Sequence, residues 1–198
     1  MEIDDKTLQT LIATADRHAI ENVLGIYCRA LDRLDLELLK SVYHADGFDD
    51  HGTMKLNAHE FAEQIIVKMR EATLYGMHTL TQTIIDVQGD KATSEATYIG
   101  LHVVAGGEIS VGSFFGPRYL EAQKKAGLVD QRHVYLCGGR YLDVLHKRDG
   151  LWKIFLRKMT NEFAICQPDY PTDEGIPAAF FTGSRRDKQD PVYQLKLD

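Results

Sequence analysis

The stretch Gly76-Met77-His78-Thr79-Leu80-Thr81-Gln82-Thr83-Ile84-Ile85-Asp86-Val87-Gln88-Gly89-Asp90 decides the architecture. Up to residue 73 apolar positions recur every three or four residues. From residue 76 they alternate, and Thr and Ile accumulate as they do in strands. Gln88-Gly89-Asp90 reads as a hairpin turn, and residues 91–105 return as a second strand. Gly106-Gly107 is another turn, with a short strand expected after it and a helical excursion over 117–130. A long strand at 131–147 follows, then the turn Arg148-Asp149-Gly150 and a last strand at 151–163.

Upstream, residues 5–31 carry Leu8, Leu11, Ile12, Ile20, Leu24, Tyr27 and Leu31 at helical spacing. Asp35 suits the N-cap of a short second helix, with Leu38, Leu39 and Val42 inward. Residues 48–51 suit a short strand ended by Gly52-Thr53. Residues 57–73 read as a third helix capped by Asn57, burying Phe61, Ile65, Ile66 and Met69. From Cys166 on, Pro168, Pro171, Pro177, Pro191 and the charged run Arg185-Arg186-Asp187-Lys188 read as an extended tail. Helices first and an antiparallel meander after them make an α+β plan, with helices on one face of a curved sheet and a pocket between.

The 198 residues suit one domain, placed at 1–165, with a tail at 166–198. A net charge of −6 disfavours nucleic-acid partners, which need a basic face. The acidic start Met1-Glu2-Ile3-Asp4-Asp5 has no apolar signal core, and no apolar run approaches the roughly 20 residues that span a bilayer. The expectation is a cytoplasmic protein with no membrane partner. Cys28, Cys137 and Cys166, odd in number and widely spaced, argue against a disulfide framework.

Strand alternation sorts the polar candidates. His78 shares a face with Leu80, Gln82 and Ile84. Tyr98 and His102 share one with Ala96, Gly100 and Val104. Tyr141 goes with Tyr135, Cys137 and Gly139, and Arg157 with Phe155, Met159 and Asn161. These faces are expected inside, lining a mostly apolar pocket. Asp32 closes the first helix. Brought to His78, its carboxylate would orient the imidazole and make it a general base without metal or cofactor. His102 and Tyr98 suit proton donation or carbonyl polarisation, and Tyr27 on the first helix suits a substrate oxygen. Asp49 and His51 share a strand face and are expected to line the pocket. With Asp50 and His44 they lack metal-ligand spacing such as His-x-x-x-His, so no metal is expected. Arg157 suits a phenolate or anionic oxygen, or else an ion pair with Asp32, Asp49 or Glu162. Gly138-Gly139 lies inside a strand pattern, and no dinucleotide fingerprint or nucleophile elbow occurs, so no cofactor is expected.

Five segments carry a likeness: Tyr27-Cys28-Arg29-Ala30-Leu31-Asp32, Leu38-Leu39-Lys40-Ser41-Val42-Tyr43-His44-Ala45-Asp46, Asp49-Asp50-His51-Gly52, His78-Thr79 and Arg148-Asp149-Gly150-Leu151-Trp152-Lys153-Ile154. Over about residues 10–165 the chain resembles the SnoaL-like group of the nuclear transport factor 2-like superfamily. That group includes polyketide cyclases, scytalone dehydratase, hexachlorocyclohexane dehydrochlorinase and bile acid 7α-dehydratase. The resemblance implies a cone-shaped α+β barrel, with the family's catalytic Asp on Asp32 and its catalytic His on His78. The second pocket His of scytalone dehydratase falls on His102. Its Tyr before the Asp is Leu31 here, and its substrate-binding Asn falls near Tyr141, so the base is kept while the substrate contacts differ. The implied activity is a cofactor-independent lyase acting on a small aromatic or polycyclic hydroxylated compound. The elimination could extend to C–C cleavage through a quinone methide. An isomerase or cyclase using the same dyad, and a non-catalytic ligand-binding module, are the alternatives. The resemblance also implies a homo-oligomer, trimer or dimer.

Overall fold

Asp4 caps the first helix, α1 (Asp5–Asp32), by accepting from the Thr7 amide at 2.9 Å. The computed structural model describes residues 3–170, 174–179 and 183–195. Leu8, Leu11 and Ile12 are exposed, so α1 joins the core only from Asp16 onward, through Ile20, Leu24, Tyr27 and Leu31. Asp35 caps α2 (Leu36–Ser41) and Asn57 caps α3 (Ala58–Ala72), as the sequence indicates.

Six strands follow the order β2-β1-β6-β5-β4-β3, with β1 (Tyr43–His51), β2 (Met54–Asn57), β3 (Tyr75–Gln88), β4 (Lys91–Val104), β5 (Arg132–Arg148) and β6 (Leu151–Asp169). All neighbours are antiparallel except β1 with β6. The sheet curls around the helices without closing, since β2 and β3 remain edges. The strand expected at 48–51 is longer and begins at Tyr43. The last strand runs to Asp169, beyond the 163 expected for it and the 165 expected for the domain end.

Three irregularities re-aim side chains, because a one-residue slip moves a strand's side chains to its other face. Between Leu80 and Thr83, β3 carries one extra residue against β4. Ile85 is therefore buried and Ile84 is exposed, the reverse of the strict alternation expected. On β6, Leu145 pairs with Ile154 and Val144 with Leu156, leaving Phe155 unpaired. Ile154 and Arg157 share the inner face, while Phe155 stacks on His146 with centroids 4.2 Å apart. Glu162 is the third extra residue, opposite the Gly138/Gly139 step. There a Cβ on Gly139 would collide with the Thr160 carbonyl, so only glycine lets the two backbones approach.

After Gly106-Gly107 the chain forms α4 (Glu108–Phe115), not a strand, and then α5 (Pro117–Ala126). Gly107 at φ 103° and Gly116 at φ 85° bracket α4, and Val111, Phe114 and Phe115 recur at helical spacing. The tail includes a short helix, α6 (Gly175–Ala179), and a 3₁₀ turn at Pro191–Tyr193. Pro171 lies outside the described residues. Lys188 and Tyr193 bond Asp35, and Arg33 pairs with Asp190 at 3.2 Å, so residues 185–193 are tied to the end of α1. No helix among the described residues is long and apolar enough to cross a membrane.

Candidate active site

The C-terminal end of α1 meets the start of β3, and Asp32 meets His78 there. Both carboxylate oxygens accept from the His78 backbone amide at 3.1 Å, and Oδ1 lies 2.7 Å from His78 Nδ1. An ionised carboxylate only accepts, so Nδ1 carries the proton and Nε2 is left bare. The pair is mostly shielded, with 7% of the His78 side chain and 11% of the Asp32 side chain exposed. His78 lines an aromatic-walled cavity that Asp32 does not reach, and the two together line a second, more polar cleft on the α1 side.

That cavity measures about 250 Å³ and is walled by the rings of Tyr27, Tyr98, Tyr135, Tyr141 and Phe114, with Ile65, Met69 and Thr73 on the α3 side. His102 lines it beside His78, with ring centroids 5.1 Å apart and planes at 73°. Gly100 lies against both rings. A Cβ there would stand 3.4 Å from His78 Cδ2 and 3.5 Å from His102 Nε2. Burial, helped by the neighbouring His78 and Arg186, pulls the His102 imidazole down to a pKa of about 3, so it is neutral at physiological pH. Tyr98 and Tyr141 stack at 4.3 Å, and burial raises both phenols. The Tyr98 hydroxyl donates to Asn161 Oδ1 at 2.7 Å, and Asn161 in turn donates to the Tyr135 hydroxyl at 3.4 Å.

The opposite wall is built from β1. His51 lines the cavity, stacks on Phe61 at 4.5 Å and places Nε2 3.5 Å from the Tyr27 hydroxyl. Its Nδ1 bonds Asp49, which also accepts from the Tyr43 hydroxyl at 2.5 Å. Asp49 and Arg157 are both 0% exposed and do not reach the cavity, which corrects the expectation that they bind substrate directly. Strand alternation does put Asp49 on the His51 face, but beneath the tyrosine layer. Arg157 pairs with Asp143 through two bonds of 2.7 Å, a partner the sequence reading did not propose. Its guanidinium lies 3.8 Å from the Tyr27 ring centroid and 4.4 Å from that of Tyr141. It supports the wall from behind.

Of the nine residues singled out in the sequence, His78, His102, Tyr27, His51, Tyr98 and Tyr141 therefore line one cavity. Asn161, Tyr135 and Phe114 were not singled out as site residues. The first two share strand faces with Arg157 and Tyr141, which was a usable signal. Phe114 sits on the α4 insertion and left none. His44 bonds the His146 carbonyl at 2.9 Å, away from Asp49 and His51. Among the described residues no three His, Cys, Asp or Glu side chains converge as a metal cluster would.

A curled α+β sheet around a tyrosine-lined cavity, with an Asp-oriented His at its edge, defines a pocketed protein of the nuclear transport factor 2-like class. Residues 13–158 match the family model described as a SnoaL-like domain, and the chain belongs to that family. Its structure is similar to that of a hexachlorocyclohexane dehydrochlorinase, LinA-type3, from Novosphingobium barchaimii LL02, at 17% identity and a TM-score of 0.62, covering 80% of this chain and 94% of that one. It is also similar to a scytalone dehydratase-like protein from Novosphingobium aromaticivorans DSM 12444, at 16% identity and a TM-score of 0.61, covering 82% and 93%. No curated protein matches the chain by sequence. At these identities the likeness establishes the shared fold.

Proposed function

We propose that the chain is a lyase of the dehydratase type. His78, held by Asp32, removes a proton from a carbon or phenol of a small hydroxylated aromatic compound, and a β-hydroxyl or another group departs. The observation that carries this reading is the three-bond grip of Asp32 on His78, which occupies Nδ1 and leaves Nε2 to take a proton on a ring that lines an aromatic-walled cavity. Proton transfer by side chains suffices for such an elimination. A supporting analogy is that the structural neighbours include a dehydrochlorinase and a scytalone dehydratase-like protein.

The cavity sets the size of the substrate. At about 250 Å³ it lies just below the ~300 Å³ where drug-sized sites begin. One or two aromatic rings suit it better than a steroid skeleton. Four tyrosine rings supply flat contact for such rings, and Tyr98, Tyr135 and Asn161 form a polar cluster for a substrate oxygen. His102 Nδ1 is buried without a partner, and a proton there would be an unsatisfied donor costing roughly 1–3 kcal/mol. The proton therefore belongs on Nε2, and His102 serves as a neutral donor to a developing oxyanion.

The test is incubation of the purified chain with one- and two-ring hydroxylated aromatic compounds, with mass detection of water or one-carbon loss. His78→Gln is expected to lower turnover by roughly 10²-fold or more. Binding of these compounds with no turnover by wild type would instead favour a ligand-binding module.

A further inference from the structure

The Asp32–His78 arrangement has a counterpart on the far wall. Asp49 and His51 are two residues apart on β1, and the His51 Nδ1 bonds the fully buried Asp49 as His78 Nδ1 bonds Asp32. Tyr43 supplies a second donor to Asp49 at 2.5 Å, so that carboxylate is held from two sides. Phe61 stacks on the ring and fixes its plane, and Nε2 points at the Tyr27 hydroxyl 3.5 Å away. His51 has a buried carboxylate on one nitrogen, a phenol on the other and a face on the cavity.

Elimination of hydroxide also needs what the first dyad lacks. His78 takes a proton, and the departing oxygen must receive one. His102 is a hydrogen-bond donor but holds its only proton, and the Tyr98 hydroxyl already donates to Asn161. We propose that Asp49, His51 and Tyr27 form a second acid–base relay, which protonates the leaving oxygen while His78 acts from the opposite wall. The inference rests on the lyase reading above. In the step, the C–H proton goes to His78 Nε2 and its electron pair forms the new C=C bond. The C–O bond breaks, and its electron pair stays on oxygen. The step requires the Asp49–His51 pair to hold two protons, one between Nδ1 and the carboxylate and one on Nε2. That oxygen takes the Tyr27 hydroxyl proton, and Tyr27 takes the one on His51 Nε2. One proton has been gained at His78 and one lost at His51, and exchange with water as product leaves restores both.

The test contrasts leaving groups, because a good one needs no acid. Wild type, Tyr27→Phe, His51→Gln and His78→Gln are assayed on a hydroxyl substrate and on its nitrophenolate-leaving analogue, with circular dichroism confirming the fold. Tyr27→Phe keeps the ring over Arg157 and deletes only the oxygen. The proposal expects Tyr27→Phe and His51→Gln to lose roughly 10²-fold or more on the hydroxyl substrate. On the analogue their losses should be at least about tenfold smaller. His78→Gln should lose on both alike. Equal losses of the two relay variants on both substrates, or no loss on either, would overturn the relay while leaving the lyase reading intact. No wild-type turnover of either substrate would overturn the lyase reading and the relay with it.

Discussion

Replacing Asp32 by Asn keeps the shape of the side chain and changes what it can do for His78. The Asn carbonyl can still accept from the His78 backbone amide, now held by two oxygens at 3.1 Å. Its amide N–H₂ then faces Nδ1 at the position where Oδ1 stands at 2.7 Å. Two N–H groups cannot face each other, so the imidazole moves its proton to Nε2 and accepts at Nδ1. Nε2 can then no longer take a proton. Where an orienting carboxylate of a His–Asp pair is changed in this way, the rate falls about 10⁴-fold. At about 1.36 kcal/mol per tenfold, that is on the order of 5 kcal/mol of barrier. The folded state loses far less, since one charge-assisted bond becomes neutral at a cost of about 1 kcal/mol. For a chain of this size that lowers Tm by about 2–4 °C. Initial rates at saturating substrate, paired with thermal melts, separate the two effects. A folded Asp32→Asn protein within tenfold of wild type would refute the reasoning.

Three further outcomes concern the scaffold. Arg157→Met strands the buried carboxylate of Asp143, which also accepts from Ser94 at 3.1 Å. It should cost about 3–5 kcal/mol in denaturant unfolding, and the double variant Arg157→Met/Asp143→Leu should recover most of that. His102 is held neutral in the folded chain, down to about 3 from an ordinary 6.5, so the unfolded chain binds more protons between those values. Its contribution to stability is therefore lost as pH falls below about 6.5. Wild type should lose on the order of 2–3 kcal/mol more than His102→Phe between pH 7 and 4, read by urea unfolding. Gly139→Ala drives a methyl into the Thr160 carbonyl and should destabilise by more than about 3 kcal/mol, read from the same unfolding curves, while also displacing Tyr141 and Asn161.

Much of the candidate site is legible in the sequence. Asp32 at a helix end and His78 at a strand start are fixed by local periodicity, and the inner face of β4 follows from its unbroken alternation of Ala96, Tyr98, Gly100 and His102. Caps at Asp35 and Asn57 set two helix starts correctly. What was not legible depends on long-range pairing. The bulges after Leu80 and at Phe155 are two-strand properties, and each exchanged the inner and outer residues of a single-strand reading. The same is true of the Arg157–Asp143 pair, which joins β6 to β5. Asp49 was placed on the correct face but at the wrong depth, because alternation fixes direction and tertiary packing fixes burial. The strand expected after Gly107 became α4, since an apolar set such as Val111, Phe114 and Phe115 decides helix against strand only through what it packs on.

The most direct measurement is the ¹⁵N–¹H correlation spectrum of the histidine rings in the free protein. The account predicts that neutral His78 carries its proton on Nδ1, with Nε2 bare, and that Asp32→Asn moves the proton to Nε2. A neutral His78 already protonated at Nε2 in the wild type, or a ring unaffected by Asp32→Asn, would contradict it.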